Sequence, residues 1–136
     1  MTLVDTNVLL DVFTKDPKWL DWSLARLEQA AAFSGPLVIN DVIYAETSSR
    51  YPTIDDFETV LAGVGITVVP TPRRALFLAG KAFARYGSAG GIRTGVLADF
   101  FIGAHAAVER LPLLTRGARR YRNYFPTVVL IAPDQD

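Results

Sequence analysis

The chain has 136 residues, of which 50% are hydrophobic and 21% are charged, and its formal net charge at pH 7 is zero. This length predicts a single domain over residues 1–136 with a sizeable core, while the absence of cysteine excludes disulfides, thiolate catalysis and zinc–sulfur sites. No apolar run is long enough for a membrane span, and the first residues predict an acid-ended strand rather than a signal peptide, so we expect a cytoplasmic protein.

Short aliphatic runs alternate with segments of helical periodicity along the chain. The aliphatic runs predict strands at residues 3–4, 37–39, 66–69, 113–114 and 128–131. Apolar residues at helical spacing predict helices at residues 20–31, 54–61, 75–86 and 97–108, and further helices follow Asp5 and Asn40. This alternation predicts an α/β fold with three layers, in which helices cover both faces of a parallel sheet.

Three carboxylates, Asp5, Glu46 and Asp99, interrupt apolar segments. A buried charge is costly unless it is paired or binds a metal, and these segments contain no basic residue. Asp5 follows the first strand and Asp99 lies in the first turn of its helix, so both belong to the carboxyl edge of the sheet. We therefore expect the three acids to converge on one cation.

Each of these acids also has a simpler structural explanation when it is taken alone. Asp5 is suited to cap the helix that follows it, and Asp99 complements a helix dipole. Glu46 is four residues before Arg50, a spacing that favours an ion pair on a helix surface. The occurrence of all three together favours a shared site.

Several polar residues are expected to support these acids. Thr6 and Asn7 are predicted to hydrogen-bond around Asp5, with capping of the turn as the alternative, and Thr115 ends the fourth strand at the same edge. His105 is six residues after Asp99, more than one and a half turns along a helix, so it faces another side. It is interpreted as a core histidine rather than a base.

The net charge of zero conceals an asymmetry between the two halves of the chain. Residues 1–71 carry four basic and ten acidic residues, whereas residues 72–136 carry ten basic and four acidic residues. A cluster of arginines with interleaved tyrosines suits phosphate contact and base stacking. The candidate contacts are Arg93, Arg116, Arg119, Arg120 and Arg122, although solvated arginines are the commoner finding.

The segments at residues 4–11, 98–106, 113–116 and 121–126, together with the single Glu46, resemble a PIN domain in their order and spacing. The resemblance is strongest to the VapC-type toxin ribonucleases of bacterial toxin–antitoxin pairs and extends from residue 3 to about residue 131. It implies a five-stranded parallel sheet of order 3-2-1-4-5. It also implies that Mg²⁺ or Mn²⁺ bound at Asp5, Glu46 and Asp99 supports hydrolysis of an RNA phosphodiester.

The chemistry of Mg²⁺ agrees with these residues independently. Mg²⁺ prefers oxygen ligands and is typically held by one or two carboxylates together with substrate phosphate. Such an ion orients a water and lowers its pKa, so no nucleophilic side chain is needed. This suits a chain with no cysteine and a single histidine.

The resemblance also implies partners for the chain. It implies a homodimer, which agrees with the high apolar fraction, and a VapB-like antitoxin whose tail enters the acidic groove and places an arginine near the metals. The apolar helices at residues 53–64 and 75–86 offer a surface for this partner.

Gly117 departs from the family pattern, because the family usually has a fourth acid two residues after the threonine. Asp134 and Asp136 follow the fifth strand and start about 10 Å away from Asp5, since strands lie roughly 4.8 Å apart. Asp11 is about one and a half turns down the first helix and is interpreted as a surface acid. The missing acid puts full activity and a second metal in question.

Three functions remain open on these residues. The first is a metal-dependent endoribonuclease toxin, and the second is a catalytically impaired module of the same fold that still binds RNA or antitoxin. The third is another metal-dependent phosphohydrolase that uses Asp5 as a nucleophile. The third ranks last because Asn7 stands where such an enzyme has a second aspartate.

Overall fold

The computed structural model describes residues 1–88 and 97–133. The strands in these residues are Thr2–Val4 (β1), Leu37–Ile39 (β2), Ile66–Val68 (β3), Leu113–Leu114 (β4) and Leu130–Ile131 (β5). All neighbouring strands pair in parallel, in the order β3-β2-β1-β4-β5, which confirms the predicted sheet. The β5 strand is shorter than the predicted strand at residues 128–131, because it pairs with only the two residues of β4.

Helices connect the strands and complete a three-layer α/β/α arrangement. They are Thr6–Phe13 (α1), Leu20–Ser34 (α2), Asp41–Ser48 (α3), Ile54–Gly63 (α4), Arg73–Ser88 (α5), Leu97–Glu109 (α6) and Arg119–Tyr124 (α7). The α7 helix was not predicted, since its arginine-rich sequence shows no apolar stripe. Within the described ranges, no helix is both long enough and apolar enough to cross a membrane.

The central strand β1 is completely buried, and the edge at its carboxyl end collects polar residues. Leu3 and Val4 have no exposed surface, because strands on both sides and helices on both faces surround them. Asp5, Asn40 and Thr115 directly follow β1, β2 and β4, as predicted. The Asn40 side chain caps α3 and contacts Nδ1 of the buried His105 at 3.1 Å, which confirms the interpretation of His105 as a core residue.

Gly103 allows α7 and the residue that follows it to pack closely against α6. A Cβ atom at this position would lie 2.3 and 2.6 Å from ring atoms of Phe125 and 3.0 Å from the ring of Tyr121. Both aromatic side chains are buried. The absence of a side chain at Gly103 therefore determines how deeply α7 and its Tyr121 sit in the fold.

We predict that Gly103→Ala lowers the free energy of unfolding, because the added methyl group must push two buried rings apart. Overpacking of this kind typically costs about 1–3 kcal/mol. Gly80→Ala is the matched control, because Gly80 is an exposed position in α5 where an added Cβ meets no described residue within 4 Å beyond its own stretch of helix. It should stabilise the protein by roughly 0.5–1 kcal/mol through helix propensity. Urea unfolding of both variants measures the difference, and equal stabilities would contradict this packing argument.

Candidate active site

Asp5 is a buried carboxylate held by three donors from different parts of the chain. Its Oδ1 accepts a hydrogen bond from the backbone N–H of Thr6 at 2.7 Å, so Asp5 does cap α1. Its Oδ2 accepts from the Thr115 hydroxyl at 2.7 Å and from the Tyr121 hydroxyl at 2.9 Å. Capping and membership of the site therefore coexist, because the two oxygens serve different partners.

The environment of Asp5 favours its protonated form. Burial raises the pKa of this carboxyl from 3.8 to about 6, and the nearby charge of Asp99 adds to the rise. The hydrogen bonds from Thr115, Tyr121 and the Thr6 backbone act in the opposite direction but do not cancel the effect of burial. All three donors are neutral groups, so a cation at this point would restore the charged form.

Tyr121 is a central residue of the site that the sequence interpretation did not assign to it. The tyrosines between the arginines predict base stacking, yet Tyr121 is 1% exposed and its hydroxyl donates to Asp5. Burial chiefly raises its pKa well above 10, and the charges of Asp5, Asp99 and Glu46 raise it further. The charges of all three predicted acids thus act on one tyrosine hydroxyl, which is hydrogen-bonded to Asp5.

Glu46 reaches this group through Thr6. The Thr6 hydroxyl donates to Oε1 of Glu46 at 2.5 Å while the Thr6 backbone N–H binds Asp5. Glu46 is exposed on α3, so the expectation that this acid is buried is wrong. Thr6 binds Asp5 through its backbone N–H, which is the capping alternative, and its hydroxyl connects Asp5 to Glu46.

Asp99 lies in the first turn of α6, as predicted, but it has a basic partner. Its Oδ2 accepts a hydrogen bond from Nη1 of Arg120, and the two side chains form an ion pair in which each is 33% exposed. Burial raises the pKa of Asp99, although the charge and hydrogen bond of Arg120 oppose that rise. The apolar segment around Asp99 contains no basic residue, but α7 supplies Arg120 as a partner in space.

Asp11 is buried rather than a surface acid of α1. It is 2% exposed, and it accepts two hydrogen bonds from the Arg116 guanidinium, at 2.7 and 2.9 Å, and one from the Ser23 hydroxyl at 2.6 Å. Arg116 also lies over the ring of Trp19, 5.1 Å from its centroid. The prediction that Asp11 lies on the first helix is confirmed. The prediction that it is a surface acid is wrong, because α2 and Arg116 enclose it.

The segment that follows β4 is tied to α1 by polar contacts. The side chain of Asn7 accepts from the backbone N–H of Arg116 at 3.1 Å and donates to the Thr115 hydroxyl at 3.5 Å. The same hydroxyl accepts from the N–H of Gly117 at 3.0 Å. Asn7 and Thr115 therefore support the loop that carries Gly117, which agrees with their predicted positions beside Asp5.

A cleft of about 630 Å³ opens over these residues. Acidic and basic side chains share its wall: the lining includes Asp5, Asn7, Tyr86, Asp99, Arg116, Gly117, Arg119, Arg120 and Asn123. We call it the Asp5 cleft. Arg122 is exposed on α7, while Arg93, Asp134 and Asp136 lie outside the described residues.

The donor types fit a hard divalent cation. Carboxylate and hydroxyl oxygens are the ligands that Mg²⁺ and Mn²⁺ prefer, and the buried Asp5 carboxylate has neutral donors around it. As these side chains are arranged, no three acidic or histidine side chains within residues 1–88 and 97–133 form a group that is able to hold a metal. Asp99 is instead engaged by Arg120.

Comparison with known proteins gives a family and a set of similar folds. The family model described as "PIN domain" matches residues 2–126. The structure is similar to VapBC2 from Rickettsia felis, bound to a DNA fragment from their promoter, with a TM-score of 0.73 and 18% identity over 98% of each chain. It is also similar to DNA-bound VapBC from Salmonella typhimurium, with a TM-score of 0.67 and 16% identity over 97% of this chain and 98% of that one.

A third similar structure is FitAcB from Neisseria gonorrhoeae, with a TM-score of 0.63 and 18% identity over 96% of each chain. No curated protein sequence matches the chain. At these identities the solved structures establish the shared fold, and the match to the family model covers most of the sequence.

We predict that Asp5→Asn stabilises the protein in metal-free buffer at high pH. The carboxyl of the folded protein keeps its proton up to about pH 6, whereas the ordinary value is 3.8. The folded state therefore binds this proton more tightly, and the free energy of unfolding falls as pH rises between these two values. The amide of Asp5→Asn does not titrate, so its free energy of unfolding does not fall in this way. At pH 8 the variant should exceed the parent in free energy of unfolding by up to roughly 3 kcal/mol.

Urea unfolding at pH 4 and pH 8 in the presence of a chelator tests this prediction. At pH 4 the parent and Asp5→Asn should differ little, because Asp5 is then largely protonated in the folded protein. Asp21→Asn is the control, since it removes the same charge from an exposed position on α2. A gain for Asp5→Asn that is the same at both pH values would contradict the proposed cause.

Proposed function

We propose that the chain, which belongs to the PIN domain family, is the toxin of a VapBC-type toxin–antitoxin pair and hydrolyses an RNA phosphodiester with Mg²⁺ or Mn²⁺. The observation that carries this proposal is the Asp5 cleft, where Asp5 and Asp99 lie beside several arginines and Glu46 is connected to Asp5 through Thr6. Clustered acids suit a divalent cation, and adjacent arginines suit the phosphates of a polyanion.

Each group in the cleft has a role in this proposal. Asp5, Asp99 and Glu46 would hold the ion, and Tyr121 and Thr115 orient Asp5 through their hydroxyl groups. When bound, a divalent ion neutralises phosphate charge and lowers the pKa of a bound water.

The arginines of the cleft differ in how readily they reach an RNA backbone. Arg119 is exposed and lines the cleft, so it is available for phosphate contact. Arg116 is held by Asp11, and its predicted contact with RNA would use the donors that this ion pair leaves over. Arg122 is exposed on α7, as Arg119 is, and is the other α7 arginine proposed to contact RNA. Arg93 remains a candidate RNA contact on the basis of the sequence.

The proposal includes an antitoxin and a second copy of the chain as partners, in the cytoplasm. The similar solved structures named VapBC2, VapBC and FitAcB support a VapB-like antitoxin as a partner. Exposed apolar side chains on the two predicted partner helices support a protein contact: Ile54 on α4 is 68% exposed, and Phe77 on α5 is 69% exposed. Burial of such side chains drives association.

A second candidate function is an impaired member of the family that binds RNA or antitoxin without cutting RNA. Two observations favour it. Gly117 supplies no carboxylate where the family usually has an acid, and Asp99 is engaged by Arg120 rather than free for a metal. Restoring the acid distinguishes the two candidates.

We predict that Gly117→Asp increases Mg²⁺-dependent RNA cleavage by roughly tenfold or more, because a further carboxylate adds a ligand and strengthens the field on the ion. The substitution fits sterically, since an added Cβ lies 3.7 Å from Nδ2 of Asn7 in ordinary contact, and Gly117 is exposed. Cleavage of a single-stranded RNA with and without Mg²⁺, at fixed ionic strength, measures the effect.

Gly63→Asp is the control for charge, because it adds the same carboxylate at an exposed glycine of α4 with open space around its Cβ. Asp5→Asn in the Gly117→Asp background should abolish the gain. Parental cleavage as fast as that of Gly117→Asp would show that the missing acid is tolerated. If neither the parent nor Gly117→Asp cleaves RNA but both still bind it, the second candidate function, a family member that binds without cutting, is favoured.

A further inference from the structure

Arg120 occupies a defined place inside the Asp5 cleft. Its Nη1 donates to Oδ2 of Asp99, and its guanidinium also lies over the ring of Tyr86, 5.7 Å from the centroid. The arginine therefore has two contacts that hold it against the wall of the cleft. A solvated arginine on a surface helix would lack such contacts, so the position of Arg120 requires an explanation of its own.

The position of Arg120 has consequences for any second cation in the cleft. An Asp99 oxygen that binds a guanidinium is a poor ligand for a divalent ion, because the two positive charges would repel each other at close range. The charge of Asp99 raises the pKa of Asp5, and Arg120 stabilises the charged form of Asp99. The arginine thus does for the acids part of what a metal would do.

We propose that Arg120 is the resident cation of the Asp5 cleft, and that a nucleic-acid phosphate draws it away from Asp99 and so opens Asp99 to a divalent metal. This inference rests on the proposed function. A phosphate competes well for Arg120, because guanidinium groups form charge-assisted, often bidentate hydrogen bonds with phosphate oxygens. The metal and the phosphodiester should therefore bind cooperatively.

The coupling follows from thermodynamic linkage. If a bound phosphodiester raises the affinity for the metal, the metal must raise the affinity for the phosphodiester by the same factor. Without nucleic acid, Arg120 stays paired with Asp99 and the metal is weakly bound. The protein would therefore bind the metal tightly only when a phosphodiester chain is already bound.

The test measures Mn²⁺ affinity directly, by the loss of the free-ion signal in electron paramagnetic resonance at fixed ionic strength. Arg120→Gln should bind Mn²⁺ roughly five- to tenfold more tightly than the parent, because a partly exposed competing charge is removed. Arg120→Lys should lie between them, since an ammonium group keeps the charge but loses the planar fork. Arg73→Gln removes the same charge from an exposed position at the start of α5, outside the lining of the Asp5 cleft, and should bind like the parent.

A second measurement addresses the coupling itself. A single-stranded deoxyoligonucleotide should tighten Mn²⁺ binding several-fold in the parent and in Arg73→Gln, and by a smaller factor in Arg120→Gln, where no guanidinium remains to be displaced. Thermal melting of each variant checks that the fold is intact. Arg120→Lys keeps the test decisive if the glutamine variant is unstable.

Two outcomes overturn the inference in distinguishable ways. Equal Mn²⁺ affinities in the parent, Arg120→Gln and Arg120→Lys would overturn the role of Arg120 and leave the proposed nuclease function standing. No Mn²⁺ binding by any of these proteins, with or without the oligonucleotide, would overturn both. In the Asp99→Asn background, Arg120→Gln should no longer change the affinity, because the ligand that Arg120 blocks is gone.

Discussion

The burial of one carboxylate at the end of the central strand sets the arrangement of the whole cleft. Asp5 is 4% exposed, and an ionised group in such a position is costly unless donors surround it. Its donors come from Thr6 beside it, from Thr115 after β4 and from Tyr121 on α7. Each donor must therefore be held in place, and this requirement accounts for the tight packing of α7 on Gly103 and for the polar contacts of Asn7.

The sequence was informative wherever local patterns decide the structure. Buried strands such as β2 are short aliphatic runs, and the caps at Asn40 and Thr53 are side chains of the expected type that accept from the backbone three residues later. The carboxyl edge was predictable because parallel strands end at the same side of the sheet. The strand order came from the family resemblance, since periodicity alone does not order strands.

The features of the cleft that the sequence did not predict are side-chain hydrogen bonds between residues far apart in the chain. Arg116 and Asp11 are separated by 105 residues, and Tyr121 and Asp5 by 116. Helical or strand periodicity carries no information about such pairs. The one available signal was the mixture of tyrosines with arginines after β4, which is equally compatible with a solvent-facing helix and with the buried hydroxyl that the structure shows at Tyr121.

The distribution of charge explains why the acids and the arginines of this chain have to be considered as one system. Two arginines that were expected to face nucleic acid are paired with acids, Arg116 with Asp11 and Arg120 with Asp99, and these pairs differ in burial. Asp11 is 2% exposed and has a third donor in Ser23, so its pair with Arg116 braces α1 against the loop after β4. Asp99 and Arg120 are each one third exposed and line the Asp5 cleft, where water and ligands screen and compete with their attraction. The first pair is therefore part of the framework, whereas the second is the one that a phosphate or a metal is able to reorganise.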